Sequence, residues 1–310
     1  MSFNCVAVPA NVTCWNNLTT NRSFGSLPAR WIQPWAATYL FLCFEGAVGN
    51  LLIVGLIFSN SKMRTGCGVL IGHCLIAYSV LCGFSFPIVA TSVYRKQMFR
   101  WQMDPKDCRP YMWIQMGCRF AAYWFDLYIA INRVVALCFP HKYRQFSRAR
   151  TEILVVSVLW VAAFLLSGFG FFNFGMVFIM LPLGTCATLP VGRVGSAVVL
   201  IGFYGPGALT AGAYLFVYAK IVRRKQQTEP ERTTNDNKAK KQTTRKRMIT
   251  TNMMCASFVW TAACSMILPV MINMINVAET DLRYPLIVIW LAAVQLVGYA
   301  SNPVSFIPID

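Results

Sequence analysis

The stretch CRPYMWIQMGCRFAAYWFDLYIAINRV, residues 108–134, decides how the rest of the chain is read. It is too apolar for a surface helix and too polar for a plain membrane anchor. Gln115, Arg119, Asp126 and Arg133 interrupt it at spacings of four, seven and seven. At the angular step of an α-helix these four fall within an arc of about 40°. A helix with one polar stripe and an apolar remainder suits the interior of a membrane bundle. There the stripe faces neighbouring helices or a water-filled path.

The composition of the whole chain agrees. Of 310 residues, 56% are hydrophobic and the mean hydropathy is +0.51. The apolar residues come in blocks rather than in amphipathic stripes. Seven blocks are long enough to cross a bilayer, at 34–58, 67–93, 108–138, 151–173, 196–222, 248–275 and 284–309. The expected fold is an all-α membrane protein, a seven-transmembrane helix bundle.

Sidedness is read from two signals. Three glycosylation sequons, at Asn11, Asn17 and Asn21, crowd the first residues, and no other sequon occurs. Such crowding predicts an extracellular, glycosylated tail over residues 1–33 and a seven-transmembrane domain over 34–310. With that end outside, eighteen basic residues fall on the inner side and nine on the outer, the bias the positive-inside rule requires. Residues 223–247, RRKQQTEPERTTNDNKAKKQTTRKR, read as a flexible cytoplasmic loop. No charged-then-apolar signal peptide opens the chain. The expected location is the plasma membrane, with membrane lipids as surroundings and no nucleic-acid partner.

Most of the twelve cysteines fall inside the predicted spans, where they act as small apolar packers. Cys5, Cys14, Cys108 and Cys186 fall on the oxidising outer side, where disulfides are allowed. No cysteine or histidine spacing suggests a metal or haem, so no cofactor is expected. No nucleophile, metal or phosphate motif marks an enzyme.

Several motifs stand in a fixed order: Gly49-Asn50 in GNLLIV, Trp101 seven before Cys108, Arg133 twenty-five after it, and Trp160. Pro206 and Tyr214, then Pro269, then NPVSF at Asn302-Pro303-Val304-Ser305-Phe306 complete the set. From about Asn50 to Phe306 the chain resembles the rhodopsin-like, class A, G-protein-coupled receptors. The NR pair at Asn132-Arg133, together with the NP of the last span, resembles the melatonin receptors and the insect moody and trapped-in-endoderm receptors.

The resemblance implies a disulfide from Cys108 to Cys186 that pins an outer loop over a cavity. Cys5 and Cys14 form a second bridge or stay free. It implies that Arg133 meets Tyr214 and a heterotrimeric G protein, with Asn132, Asn302, Pro303 and Phe306 in the same switch. As a bare anchor, Arg133 would only snorkel to the interface. It places Gln115, Arg119, Met271 and Gln295 as the candidate ligand pocket. Gln115 stands where amine receptors carry an aspartate, and Leu296 where opsins carry the retinal lysine. The ligand is therefore neither a bioamine nor retinal, and the Arg119 cation suits a carboxylate. The polar stripe is alternatively an internal network reaching Glu45 of the first span.

Departures from the family pattern bear on signalling. Asn132 replaces the usual acid beside Arg133, and an amide cannot neutralise a guanidinium. Ile249 stands at another position often acidic in relatives. One restraint on the inactive state is therefore missing, and appreciable basal activity is expected. Tyr78 stands where span two usually carries a sodium-binding aspartate, and Asp126 is the group able to take over part of that role. Ile267 and Phe306 replace a tryptophan and a tyrosine. The sequence ends at Asp310 without the amphipathic eighth helix or tail the family leads one to expect, as a fragment or an unusual receptor would. A receptor-like decoy or scaffold is the alternative, and a transporter or channel a further one.

Overall fold

A computed structural model describes residues 29–61, 63–64, 68–101, 103–139, 141, 143, 148–181, 183–228 and 285–301, together with Ala256, Val259, Trp260, Ala263 and Cys264. Long apolar helices dominate: α1 (Ala29–Ser59), α2 (Gly68–Val80), α3 (Phe86–Phe99), α4 (Pro105–Cys138) and α5 (Ala149–Phe171). They are followed by α6 (Gly192–Val199), α7 (Gly205–Thr228) and α8 (Pro285–Ala300). Spans two and five are each built from two of these helices joined by a π-helical turn, at Leu81–Ser85 and Leu200–Tyr204. Among the described residues, five segments are long and apolar enough to cross a membrane, and Leu286–Ala300 is a shorter apolar helix. All five described residues of the sixth predicted span are helical.

The two π turns share a cause. Pro87 follows the first by one residue and Pro206 follows the second by one. Proline has no N–H to give and its ring collides with the carbonyl four residues back. Widening the preceding turn relieves both problems. The N–H of Phe86 bonds instead to the Leu81 carbonyl, and that of Gly205 to the Leu200 carbonyl. In span five the widened turn carries Gly202, where an added Cβ would come within 2.6 Å of the Phe120 ring on α4. The glycine lets spans three and five touch.

The core is formed from buried side chains of all these spans, with Trp35, Tyr39, Phe86, Phe120, Phe125 and Tyr299 among its largest. Indole N–H groups find partners across helices. Trp35 Nε1 donates to the Ile289 carbonyl at 2.9 Å, Trp113 Nε1 to the Phe164 carbonyl at 3.1 Å and Trp160 Nε1 to His73 Nδ1 at 3.3 Å. Asn50, fully buried, donates to the Gly46 carbonyl at 2.7 Å and the Tyr299 carbonyl at 3.4 Å, fastening α1 to α8. At Gly46 an added Cβ would stand 2.9 Å from both Ala300 Cβ and Cys82 Sγ. Gly46→Ala should therefore lower stability by about 1 kcal/mol through overpacking, read as a lower melting temperature of the purified protein.

Three differences from the sequence reading have physical reasons. The helix of span five continues through Thr228, six residues into the stretch read as loop from 223. Arg223, Arg224, Lys225, Gln226 and Gln227 are good helix formers, and Pro230 is the next breaker in the sequence. The stretch after span four, read as plain loop, contains an antiparallel hairpin, β1 (Met176–Met180) and β2 (Cys186–Pro190), with Met176 opposite Pro190 and Met180 opposite Cys186. Its turn is tightened by Gly184 at φ 91°. Glu45 lies on the exposed face of α1 and not in the interior network. Buried Cys43, Gly46 and Asn50 lie about 100–160° round the helix from it.

Candidate functional site

At one end of the bundle, Cys108 in the first turns of α4 is joined to Cys186, the first residue of β2, with Cα atoms 5.8 Å apart. The sequence expectation of this bridge is met. Asp104 caps α4 by accepting from the Lys106 N–H at 2.9 Å, and Pro105 takes the first helical position, where no N–H is needed. The cap and the bridge together fix the top of α4 beneath the hairpin.

About two turns beyond Cys108 the stripe begins. Gln115 is buried. Arg119 keeps some accessible surface, and its Nε is buried without a hydrogen-bond partner. The guanidinium lies 5.8 Å from the centre of the Phe86 ring on α3. The hydroxyls of Tyr39 on α1, Tyr111 on α4 and Tyr299 on α8 are within its electrostatic reach. Arg119 is thus turned toward spans one, two and seven. Gln295 is buried on α8, one turn from Tyr299 and on the same side. These aromatic neighbours were not legible as pocket residues, because nothing in their spacing separates them from core packing.

About 10 Å further along the axis, Asp126 accepts from the Tyr78 hydroxyl at 3.0 Å and the Cys74 thiol at 3.6 Å. Tyr78 and Cys74, one turn apart on α2, are both buried. The tyrosine in place of the usual span-two aspartate is therefore the donor to the acid that has moved to span three. In the sequence these two departures are linked through sodium binding, and the hydrogen bond adds that they are donor and acceptor of one contact.

At the far end, Asn132 is buried and Arg133 half-buried on α4, while Tyr214 is buried on α7. Helices α4 and α7 run parallel, and their register is fixed twice. Phe120 meets Gly202, and Lys220 Nζ donates to Cys138 Sγ at 3.1 Å, both pairs 82 residues apart in sequence. The same offset brings residue 215 level with Arg133, so Tyr214 lies within one residue of that level. Glu152, near the start of α5, is 2% exposed with Oε1 unpartnered, and the Asn132 Oδ1 is also buried without a partner. Asn11, Asn17, Asn21, Cys5, Cys14, Ile249, Ile267, Pro269, Met271, Asn302, Pro303 and Phe306 lie outside the described residues.

Comparison with known proteins gives the class. The family model of the 7 transmembrane receptor (rhodopsin family) matches residues 49–304. The chain belongs to that family of receptors, and is a multi-pass protein of the plasma membrane. The mouse (Mus musculus) somatostatin receptor type 5 is 26% identical over 200 residues, covering 59% of this chain and 51% of the relative. The zebrafish (Danio rerio) melatonin receptor type 1B-B is 26% identical over 160 residues, covering 49% and 45%. The guinea-pig (Cavia porcellus) substance-P receptor is 24% identical over 166 residues, covering 52% and 39%. The matches span about half the length of these curated relatives or less.

Proposed function

We propose that the chain is a ligand-activated receptor that takes an extracellular ligand at the Cys108 end and activates a heterotrimeric G protein at the Arg133 end. The observation that carries this reading is the parallel register of α4 and α7, with Tyr214 level with Arg133. In a two-state bundle an outward swing of span six would let those side chains meet and open a surface for the partner. The free energy transmitted between ligand and partner is a coupling of about 1–3 kcal/mol. Sequons in the tail and the basic bias support the outside placement of the N-terminus. The Arg119 guanidinium, lacking a carboxylate among the described residues, supports a ligand with an acidic group.

The test is basal G-protein activation in cells expressing the chain, its Arg133→Ala variant and its Asn132→Asp variant at equal surface levels. The expected result is a ligand-independent signal that Arg133→Ala abolishes and Asn132→Asp reduces. A signal untouched by Arg133→Ala would refute coupling through this end. A low signal that rises in Asn132→Asp would refute the loosened switch.

A further inference from the structure

Glu45 is an acid in the middle of a lipid-facing surface. Helix α1 has 31 residues, and Glu45 is the seventeenth. At the α-helical rise it stands about 21–24 Å from either end, at mid-depth in a hydrocarbon core about 30 Å thick. A glutamate is too short to reach either interface from there. Its side chain is exposed, and no described residue gives it a hydrogen bond or an ion pair. An acid so placed in hydrocarbon is costly unless something outside the chain satisfies it.

The residues around it form a seam. Phe41, Glu45, Val48, Leu52 and Gly55 are all exposed, and they recur at four, three, four and three residues. That is the 3.5-residue period with which one helix packs along another. Phe41 and Leu52 are each 64% exposed. At Gly55 nothing lies within 4 Å of an added Cβ, so a second helix has room to approach.

We propose that this seam is where span one meets span one of a second copy of the chain, the two Glu45 carboxyl groups hydrogen-bonded to each other. Two copies in one membrane share their orientation. Their two-fold axis then runs along the membrane normal, and each residue of a parallel span-one pair faces its own counterpart. Under that symmetry a side chain satisfies its twin only if it both donates and accepts. A neutral carboxyl does so, its O–H donating to the partner's C=O and its own C=O accepting in return. A basic helix of another protein would also meet Glu45, but it must bring the complement and the matching period with it. A second copy already has both. A lone polar residue in an apolar seam also fixes the register of the pair.

The test is oxidative cross-linking in native membranes of the full chain carrying Leu52→Cys, a seam position two turns from Glu45, with the unsubstituted chain alongside as the baseline for its own cysteines. The same cysteine is then combined with Glu45→Gln, which can still donate and accept, and with Glu45→Leu, which cannot. Surface levels are matched throughout. A product of twice the chain's mass is expected with Leu52→Cys, retained with Glu45→Gln and reduced on the order of tenfold with Glu45→Leu. Cross-linking that ignores Glu45→Leu would overturn the role of the carboxyl. The absence of any dimer-sized product, or a product of some other mass, would overturn the second copy as the occupant. The readout does not involve signalling, so it stands or falls apart from the receptor reading.

Discussion

Replacing Cys186 by serine should lower stability by about 3 kcal/mol, with a matching fall in melting temperature and in receptor at the cell surface. The bridge spans 78 residues of sequence, but most of that loop is already closed by the membrane. Helices α4 and α5 are long apolar spans that stay inserted and side by side when the outer end loosens. The chain that serine would set free is the segment from the end of α5 at Phe171 to Cys186. A loop of about 15 residues carries a closure entropy worth about 3 kcal/mol. Among the described residues the hairpin has no third strand, and two strands alone are marginal in water. It should lose its place over the bundle once untied. Cys108→Ser should have the same effect, and the double substitution no more than either single one, since all three remove one bond. Melting curves for the four proteins decide it. A Cys186→Ser protein that melts with the parent, or a double variant whose loss is the sum of the singles, would remove the bridge from this role.

The sequence carried the bundle because a membrane gives it few choices. A block of about 20 apolar residues in lipid must be a helix, and seven such blocks leave little freedom of class. The Cys108–Cys186 bridge was legible as a family trait. What the sequence did not yield is what depends on helix phase and on neighbours. Glu45 was placed with the interior network because acids in membranes usually face inward, yet Gly46 and Asn50 turn the other side of α1 to the core. The π turns were hidden because a proline within a span predicts a kink of unspecified kind. The hairpin was hidden because strand propensity in Met176–Met180 cannot be told from any short apolar run. In the site, Arg119 was identified by its place in the polar stripe and by the family resemblance, and its turn toward Phe86, Tyr39 and Tyr299 depends on neighbours that spacing does not reveal.

Tyr78→Phe should cost about 2 kcal/mol, by removing the hydroxyl that donates to Asp126 at 3.0 Å. The acid would be left with the Cys74 thiol at 3.6 Å, a weak donor that does not replace a phenol. Asp126→Leu alone should cost a similar amount, since it leaves the buried Tyr78 hydroxyl and Cys74 thiol with only each other, a weak sulfur partner in place of a carboxylate. The two substitutions together should cost less than their sum by at least about 1 kcal/mol, because each removes the group that the other leaves unsatisfied. Melting temperatures of the four purified proteins close the cycle. Simple additivity would mean that the 3.0 Å contact carries no energy of its own, and that Asp126 is held by its surroundings rather than by span two. The coupled result has a consequence for the departures of this chain from its family. An acid on span two and an acid on span three can tie the same pair of helices, provided the opposite helix supplies the donor. Tyr78 would then not be a lost function at the centre of the bundle but one half of the same tie, built from the other side.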